Sequence, residues 1–194
     1  MQNLKVSKDH PILHVGCGNS TLAEDMYKDG YRNHRCVDIV EQVIAQMAKR
    51  SAESRPEIKY EVMDITDNAF RSHMDSEFQL IIDKGCLDTV VCGTGVSENV
   101  STMLGNIWGS LSDTGYFVIF SYGTPEERLS LLDSIDKKFQ VKVMVLKKNS
   151  LEVALEGGEY DLDAQDYVEG KHYENCYFVY ICQKAKEEDN EPNL

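Results

Sequence analysis

The stretch that most constrains this 194-residue chain is a glycine-rich turn at residues 16–18, Gly-Cys-Gly. A short apolar run at 12–15 precedes it, which predicts a buried strand. Thr21 and Glu24 follow with the spacing of a capping box, which predicts the start of a helix. Glycines let the backbone bend tightly and approach a ligand, and the first N–H groups of a helix have no partner within it. Strand, glycine turn and helix are the layout of a nucleotide-type cofactor site.

The rest of the chain repeats the alternation of strand and helix. Apolar or alternating runs predict seven strands, at 12–15, 36–39, 58–62, 78–82, 116–121, 141–145 and 177–182. Helical spacing of apolar residues predicts helices at 22–29, 41–50, 97–111 and from 125 onward. Five strands alternate with helices, and only a loop separates the last two. This order predicts a single-domain α/β fold with a seven-stranded, mostly parallel sheet, helices on both faces and an antiparallel last strand.

Length and charge limit the domain organisation and the partners. A chain of 194 residues suits one domain. We expect a short N-terminal segment at 1–11, the domain at 12–184 and an acidic, flexible tail at 185–194. The net charge of −13 argues against a nucleic-acid partner, because phosphate contacts require clustered Lys and Arg. No stretch has the apolar length of a membrane span and no signal-peptide core is visible, so we expect a cytoplasmic protein without membrane contact.

The six cysteines give no sign of a metal site or a disulfide framework. None of them forms a C-x-x-C pair, and most lie in or beside apolar, strand-like runs. Buried, reduced thiols of a cytosolic protein are favoured over disulfides or metal ligands. No metal is predicted.

Two acids end the second and third predicted strands. Asp38, followed by Ile39, lies about 20 residues after the glycine turn, where a carboxylate can accept hydrogen bonds from ribose hydroxyls. The alternative for Asp38 is a cap of the next helix. Asp64, followed by Ile65, can accept the exocyclic amine of adenine while the apolar neighbour frames the ring. The alternative for Asp64 is a turn residue.

The fourth strand is followed by a block of charged residues at 83–88, Asp-Lys-Gly-Cys-Leu-Asp. In open α/β sheets, ligands bind outside the C-terminal ends of the strands. Asp83 and Asp88 are therefore predicted at the edge where a reaction takes place. The alternative is a solvated loop with a local ion pair.

The sequence of the glycine turn also distinguishes between two classes of cofactor, the dinucleotides and S-adenosylmethionine. Dinucleotide folds usually carry a third Gly or Ala in G-x-G-x-x-G/A, where the helix packs close under a pyrophosphate. This chain has Thr21 at that position. S-adenosylmethionine has no pyrophosphate, and acidic surroundings suit its sulfonium cation. The pattern favours S-adenosylmethionine.

Residues 12–20 resemble the seven-strand class I methyltransferases. The block at 83–88 resembles the Asp-Lys-Gly-x-Leu-Asp signature of one branch. That branch contains the lysine methyltransferases of translation elongation factor 1-alpha, including one related to the endothelin-converting-enzyme-2 locus. Further similar positions are 31–33, 37–39, 121–125, 128, 172–173 and 177–184.

The resemblance implies an S-adenosylmethionine-dependent methyltransferase that modifies a lysine of a protein, with elongation factor 1-alpha as the expected partner. The implied cofactor-binding residues are Gly16, Cys17, Gly18, Asn19, Asp38, Ile39, Asp64, Ile65 and Asp83. Methyl transfer needs a neutral, aligned amine, and we expect Asp83, Asp88 and Tyr122 to orient the substrate amine and lower its pKa by burial. Which of them, if any, is a general base stays open, with water as the alternative proton acceptor.

Two other functions stay open at this point. One is a methyltransferase of small molecules, and the other is a methyltransferase-like binding module without activity. Family members usually carry an aromatic-rich segment before the first strand that helps to cover the cofactor, whereas residues 1–11 contain no aromatic residue except His10.

An acidic segment at 148–175 supports a basic substrate. It holds eight acidic residues against two lysines. If it folds over the C-terminal strand ends, it forms an acidic rim that attracts a basic protein surface. The alternative is a solvated, mobile loop far from the site.

Overall fold

The computed structural model describes residues 4–147 and 164–185. Its strands are β1 (Ile12–Val15), β2 (His34–Asp38), β3 (Lys59–Val62), β4 (Phe78–Lys84), β5 (Leu111–Ser121), β6 (Phe139–Lys147), β7 (Ala164–Asp166) and β8 (Cys176–Lys184). Its helices are α1 (Leu22–Lys28), α2 (Glu41–Ser51), α3 (Cys86–Val91), α4 (Val96–Ser110) and α5 (Pro125–Leu132), with a 3-10 helix at Phe70–His73. Most of the acidic segment and nearly all of the predicted tail lie outside the described residues.

The strands form one sheet in the order β3-β2-β1-β4-β5-β8-β6-β7. The first five strands in this order pair in parallel. The last strand, β8, lies antiparallel between β5 and β6. The predicted α/β fold, with a mostly parallel sheet and an antiparallel last strand, is confirmed.

The predicted count of seven strands is wrong for the described part of the chain, which contains eight. The additional strand is β7, which pairs antiparallel with β6 at the edge of the sheet. Its three residues, Ala-Gln-Asp, are too few to show an apolar alternation, and backbone pairing with β6 defines it.

Helices cover both faces of the sheet, as predicted. Ile12 of β1 belongs to the apolar cluster that contains Met26 of α1. Its neighbour Leu13 belongs to the opposite cluster, which contains Leu104 and Ile107 of α4. Successive strand residues point to opposite faces, so one buried strand contributes to both layers.

The predicted capping box at the start of α1 is wrong. Thr21 makes no side-chain cap hydrogen bond to the helix backbone. Glu24 is 6% exposed. Its carboxylate pairs with Arg50 at 2.6 Å and with Arg55 at 2.9 Å. Two guanidinium groups compensate a buried carboxylate better than one backbone N–H, so Glu24 turns toward α2 and the turn that follows it.

The structure also shows the state of the cysteines and whether its described residues hold metal-binding clusters or membrane-spanning helices. All six cysteines are free thiols. No group of three or more His, Cys, Asp or Glu side chains suitable for a metal ion occurs within residues 4–147 and 164–185. Across the same ranges, no helix has both the length and the apolar character needed to cross a bilayer.

Candidate functional site

A pocket of about 550 Å³ opens at the C-terminal ends of β1, β2 and β4. Six of the nine predicted cofactor-binding residues line it: Gly16, Gly18, Asp38, Ile39, Asp64 and Ile65. Cys17 lines a smaller pocket that shares Gly16 and Lys84 with the first. Asn19 is exposed beside the turn, and Asp83 is buried. The parallel sheet therefore gathers side chains that are far apart in the sequence.

The glycine turn fits closely between β2 and α3. Gly16 and Gly18 have φ of 55° and 51°, in the left-handed region that favours glycine. A Cβ at Gly16 would lie 2.6 Å from Sγ of Cys86, so no larger residue fits without a shift. A Cβ at Gly18 would meet nothing within 4 Å. The turn thus leaves open space next to its backbone.

Asp38 stabilises the turn and faces the same pocket. Its Oδ2 accepts the N–H of Gly18 at 2.8 Å, and its Oδ1 accepts the N–H of Val40 at 2.9 Å. The second bond closes a turn just before α2, whose N-cap is Val40 and has no side-chain cap hydrogen bond, so Asp38 is not the cap of that helix. Each carboxylate oxygen has a further lone pair, so Asp38 can also accept hydroxyl groups from a ligand.

Asp64 is both a turn residue and a pocket residue. Its Oδ1 accepts the N–H of Thr66 at 2.8 Å and the hydroxyl of the same residue at 2.6 Å. Both bonds use one oxygen, so Oδ2 keeps its capacity as an acceptor, and Asp64 is one of the residues that line the pocket. The two interpretations of Asp64 are therefore compatible.

Asp83 supports the start of α3 from below the pocket. Its side chain is fully buried. It accepts the N–H groups of Cys86 at 2.8 Å and Leu87 at 2.9 Å. Burial, with a smaller contribution from the nearby carboxylate of Asp88, raises the pKa of Asp83 to about 7 despite the lowering effect of the backbone N–H bonds. The residues beside it on the pocket wall are Lys84 and Gly85.

Asp88 belongs to a largely buried network, and its predicted role toward a substrate amine stays a prediction. Its Oδ1 accepts Nη2 of Arg128 at 2.9 Å and the hydroxyl of Ser121. Its Oδ2 accepts the N–H of Tyr122 at 2.9 Å. Nε of Arg128 donates to Ser121 Oγ at 2.9 Å, which closes the network. The block at 83–88 therefore forms the end of β4 and the start of α3 rather than a loop, with Asp83 buried and Lys84 exposed, and Asp88 positions the end of β5.

Tyr122 is the predicted catalytic residue that faces outward. It is 61% exposed, directly after β5. Its hydroxyl shares a hydrogen bond of 3.0 Å with that of Tyr177, whose ring centroid is 4.7 Å away. Behind it, Tyr180 donates to the carbonyl of Gly123 at 2.8 Å. Tyr122 is thus an accessible aromatic side chain on an anchored loop.

The structure adds residues that the sequence did not single out. Residues between α3 and α4 line the pocket, including Gly93 and Thr94. Asn106 is buried on α4, and its Nδ2 donates to the carbonyls of Ile65 and Asp67, both at 2.8 Å. The signal for Asn106 was a polar residue within an otherwise apolar helical face. The lining residues after α3 gave no comparable signal.

The described part of the acidic segment lies at the same edge of the sheet. Tyr167 donates its hydroxyl to Oε1 of Glu126, near the start of α5, at 3.0 Å. Asp166 pairs with Lys142 at 2.7 Å. The other acidic residues predicted for the rim include Glu152, Glu156, Glu159, Asp161 and Asp163, which lie outside the described residues. The acidic rim stays a prediction.

Comparison with known families supports the resemblance seen in the sequence. Residues 12–100 match a family described as a methyltransferase domain. The chain is 38% identical over 112 residues to the eEF1A lysine and N-terminal methyltransferase of Xenopus laevis, a match that covers 57% of the chain and 16% of that protein. It is 35% identical over 91 residues to mouse EEF1A lysine methyltransferase 4, which covers 47% of the chain and 34% of the relative. The chain thus spans only a minor part of the relatives that it matches.

Solved structures share the whole fold at low identity. A TehB-like SAM-dependent methyltransferase from Corynebacterium glutamicum aligns with a TM-score of 0.65 at 17% identity, over 93% of this chain and 83% of its own. The glycopeptide N-methyltransferase MtfA, complexed with sinefungin, aligns with a TM-score of 0.66 at 11% identity, over 95% and 83% of the two chains. The chain has the Rossmann-like fold of the class I methyltransferases, with the pocket described above at its C-terminal edge.

Proposed function

We propose that this chain is an S-adenosylmethionine-dependent methyltransferase that methylates a lysine of a protein, with translation elongation factor 1-alpha as the substrate. The observation that carries the proposal is the pocket at the sheet edge, where Asp38 and Asp64 flank the glycine turn within the stretch that matches a methyltransferase domain. The names of the relatives support the choice of substrate. A cytoplasmic location follows from that substrate.

The residues of the pocket fit this cofactor. Two carboxylates at neighbouring strand ends are acceptors for a ribose diol and an adenine amine. The open space at Gly18 admits a ligand against the backbone. Apolar side chains of Ile39 and Ile65 line the same pocket and suit the faces of a ring. The acidic lining also suits a sulfonium cation better than a phosphate.

The protein's contribution to the reaction is positioning. When bound, the cofactor supplies an electrophilic methyl group. Tyr122 stands at the exposed edge, where it can orient a lysine side chain, and Asp88 fixes its backbone through the 2.9 Å bond to its N–H. The attacking amine must be neutral, and its ordinary pKa is about 10.4, so partial desolvation beside Tyr122 favours the reactive form. Asp83 acts through α3, whose start it holds.

Calorimetric titration with S-adenosylmethionine and S-adenosylhomocysteine tests the cofactor site. We expect both to bind to the wild type. Asp38→Ala should weaken both by roughly ten- to a hundredfold, because a charge-assisted hydrogen bond contributes about 1.5–3 kcal/mol. Asp25→Ala, on the exposed face of α1, is the matched control and should bind like the wild type. Equal affinities of Asp38→Ala and wild type would refute the site.

A methylation assay tests the substrate. Elongation factor 1-alpha is incubated with the protein and labelled cofactor, and the modified residue is located by mass spectrometry. We expect label on a lysine of the factor with the wild type and little with Asp38→Ala. Label confined to small molecules in a cell extract would support a small-molecule methyltransferase, and no label from a protein that binds the cofactor would support a binding module without activity.

A further inference from the structure

A second cleft, of about 470 Å³, lies at the same edge of the sheet as the cofactor pocket. It opens where β5 ends and where the antiparallel β8 begins. Four aromatic rings and one carboxylate define what we call the aromatic cleft: Tyr122, Tyr167, Tyr173, Phe178 and Glu126. Because the proposed reaction places the substrate amine beside Tyr122, the aromatic cleft is a neighbour of the reaction site.

The rings of the aromatic cleft are held in fixed positions. Phe178 is buried and packs edge-to-face against Tyr167 and Tyr173, with ring centroids 6.2 and 6.1 Å apart. The two tyrosine rings lie 5.6 Å apart and are half-buried. The hydroxyl of Tyr173 accepts the N–H of Val168 at 2.9 Å. Aromatic surface that is already ordered loses little conformational entropy when a partner binds.

The aromatic cleft suits a positive charge. Tyr167 donates its hydroxyl to Oε1 of Glu126 at 3.0 Å. Hydrogen bonds from its own backbone N–H and from the side chains of Thr124 and Tyr167 lower the pKa of Glu126, so its carboxylate is ionised at neutral pH. The ammonium group of Lys171 lies 5.2 Å from the centroid of the Tyr173 ring, within the range of a cation–π contact. The cleft thus already holds one cation of its own chain.

We propose that the aromatic cleft binds an arginine or lysine side chain of the protein substrate, next to the lysine that is methylated. This inference rests on the proposed function. Aromatic faces beside a carboxylate attract a cationic side chain, and the net charge of −13 disfavours an acidic partner. Two strand spacings, about 10 Å, separate the end of β4 from the start of β8, and an extended chain advances about 3.3 Å per residue. The second basic side chain is therefore expected about three residues from the target lysine in an extended segment, or about 10 Å from it on a folded surface.

The test measures KM and kcat for the methylation of elongation factor 1-alpha by the wild type, Glu126→Gln, Tyr173→Leu, Tyr173→Phe and Lys171→Met. Glu126 and Lys171 are exposed, so their variants should fold, and thermal melts verify this for every variant. The matched control is Asp133→Asn, which removes an exposed carboxylate at the other end of α5. Calorimetry with S-adenosylhomocysteine verifies that the cofactor site is unchanged.

We expect Glu126→Gln and Tyr173→Leu to raise KM about three- to fivefold and to leave kcat within about twofold, because they weaken binding of the ground state and the transition state equally. Tyr173→Phe keeps the ring face, so its KM should stay within about twofold of wild type. Lys171→Met removes a competing cation from that ring face and should lower KM about twofold, an effect that a purely structural role would not give. Asp133→Asn should change neither constant.

An unchanged KM for Glu126→Gln or for Tyr173→Leu overturns the role of the aromatic cleft while the methyltransferase activity stands. An equal rise for Tyr173→Phe also overturns it, because the effect would then belong to the hydroxyl. A higher KM for Lys171→Met does the same, because the cleft would then bind an acidic group. A wild type that labels no lysine of the factor refutes the proposed substrate and this inference with it.

Discussion

Removal of the Asp88 carboxylate should destabilise the fold strongly and disturb the loop that carries Tyr122. The side chains of Arg128 and Asp88 are 9% and 17% exposed, and their atoms are 2.9 Å apart. Asp88→Ala leaves a buried guanidinium without its partner, which costs about 3–5 kcal/mol when a pair is well buried. Because both groups retain some exposure, we expect the lower end, about 3 kcal/mol. For a domain of this size that lowers the melting temperature by roughly 6–12 °C.

Thermal and urea unfolding, followed by the fluorescence of Trp108, measure the effect. Asp25→Ala is the control, since its carboxylate pairs with Lys28 on the surface and the two side chains are 53% and 65% exposed. That exposed pair should contribute less than about 1 kcal/mol. The double variant Asp88→Ala/Arg128→Met should be more stable than Asp88→Ala alone, because it removes the uncompensated charge.

The same variants distinguish an effect of Asp88 on the position of the Tyr122 loop from an effect on cofactor binding. If Asp88 holds the Tyr122 loop, Asp88→Ala at a temperature where it is folded should raise KM for the protein substrate and leave the Kd of S-adenosylhomocysteine within about twofold. A loss of stability no larger than that of Asp25→Ala would refute the reasoning about the buried pair. An unchanged KM would refute the positioning role.

Three further predictions follow from single groups. Gly16→Ala should abolish cofactor binding in calorimetry, because its Cβ would lie 2.6 Å from Sγ of Cys86 and its φ is 55°. The double variant Gly16→Ala/Cys86→Ala should recover cofactor binding only in part. Full cofactor binding by Gly16→Ala would contradict the close fit of the turn. The buried imidazoles of His14 and His34 share a 3.0 Å hydrogen bond, and burial, together with the charge of the second ring, lowers the pKa of His14 from 6.5 to about 3. Stability should therefore be lost as the pH falls below about 6.5, by about 2 kcal/mol at pH 5, and urea titrations of His14→Gln should show a flatter profile than the wild type. Burial raises the pKa of Asp83 from 3.8 to about 7, so its contribution is present below about pH 4 and lost as the pH rises to about 7. The melting temperature of Asp83→Asn relative to wild type should thus rise from pH 5 to pH 8, and a constant difference would contradict the buried charge.

The sequence alone determined the order of the longer strands and helices and the position of the glycine turn, whereas the six-residue helix α3 was not predicted. Both follow from local rules, because alternation of apolar residues reports which face of a strand or helix is buried. Asp38 and Asp64 could be predicted as strand-end acids for the same reason. The short β7 could not, since three residues carry no periodicity and only pairing with β6 defines that strand.

The tertiary structure decided which charges pair with each other and which line the pocket. Glu24 and Asp88 both looked like local or solvent-facing acids, yet each pairs with an arginine from a distant element. Packing brings these partners together, and burial makes the pairing obligatory, because an uncompensated charge in the core is costly. The pocket that Asp38, Asp64 and the glycine turn line also exists only in three dimensions, since the sheet places β2 between β3 and β1 and so sets residues from distant parts of the chain side by side.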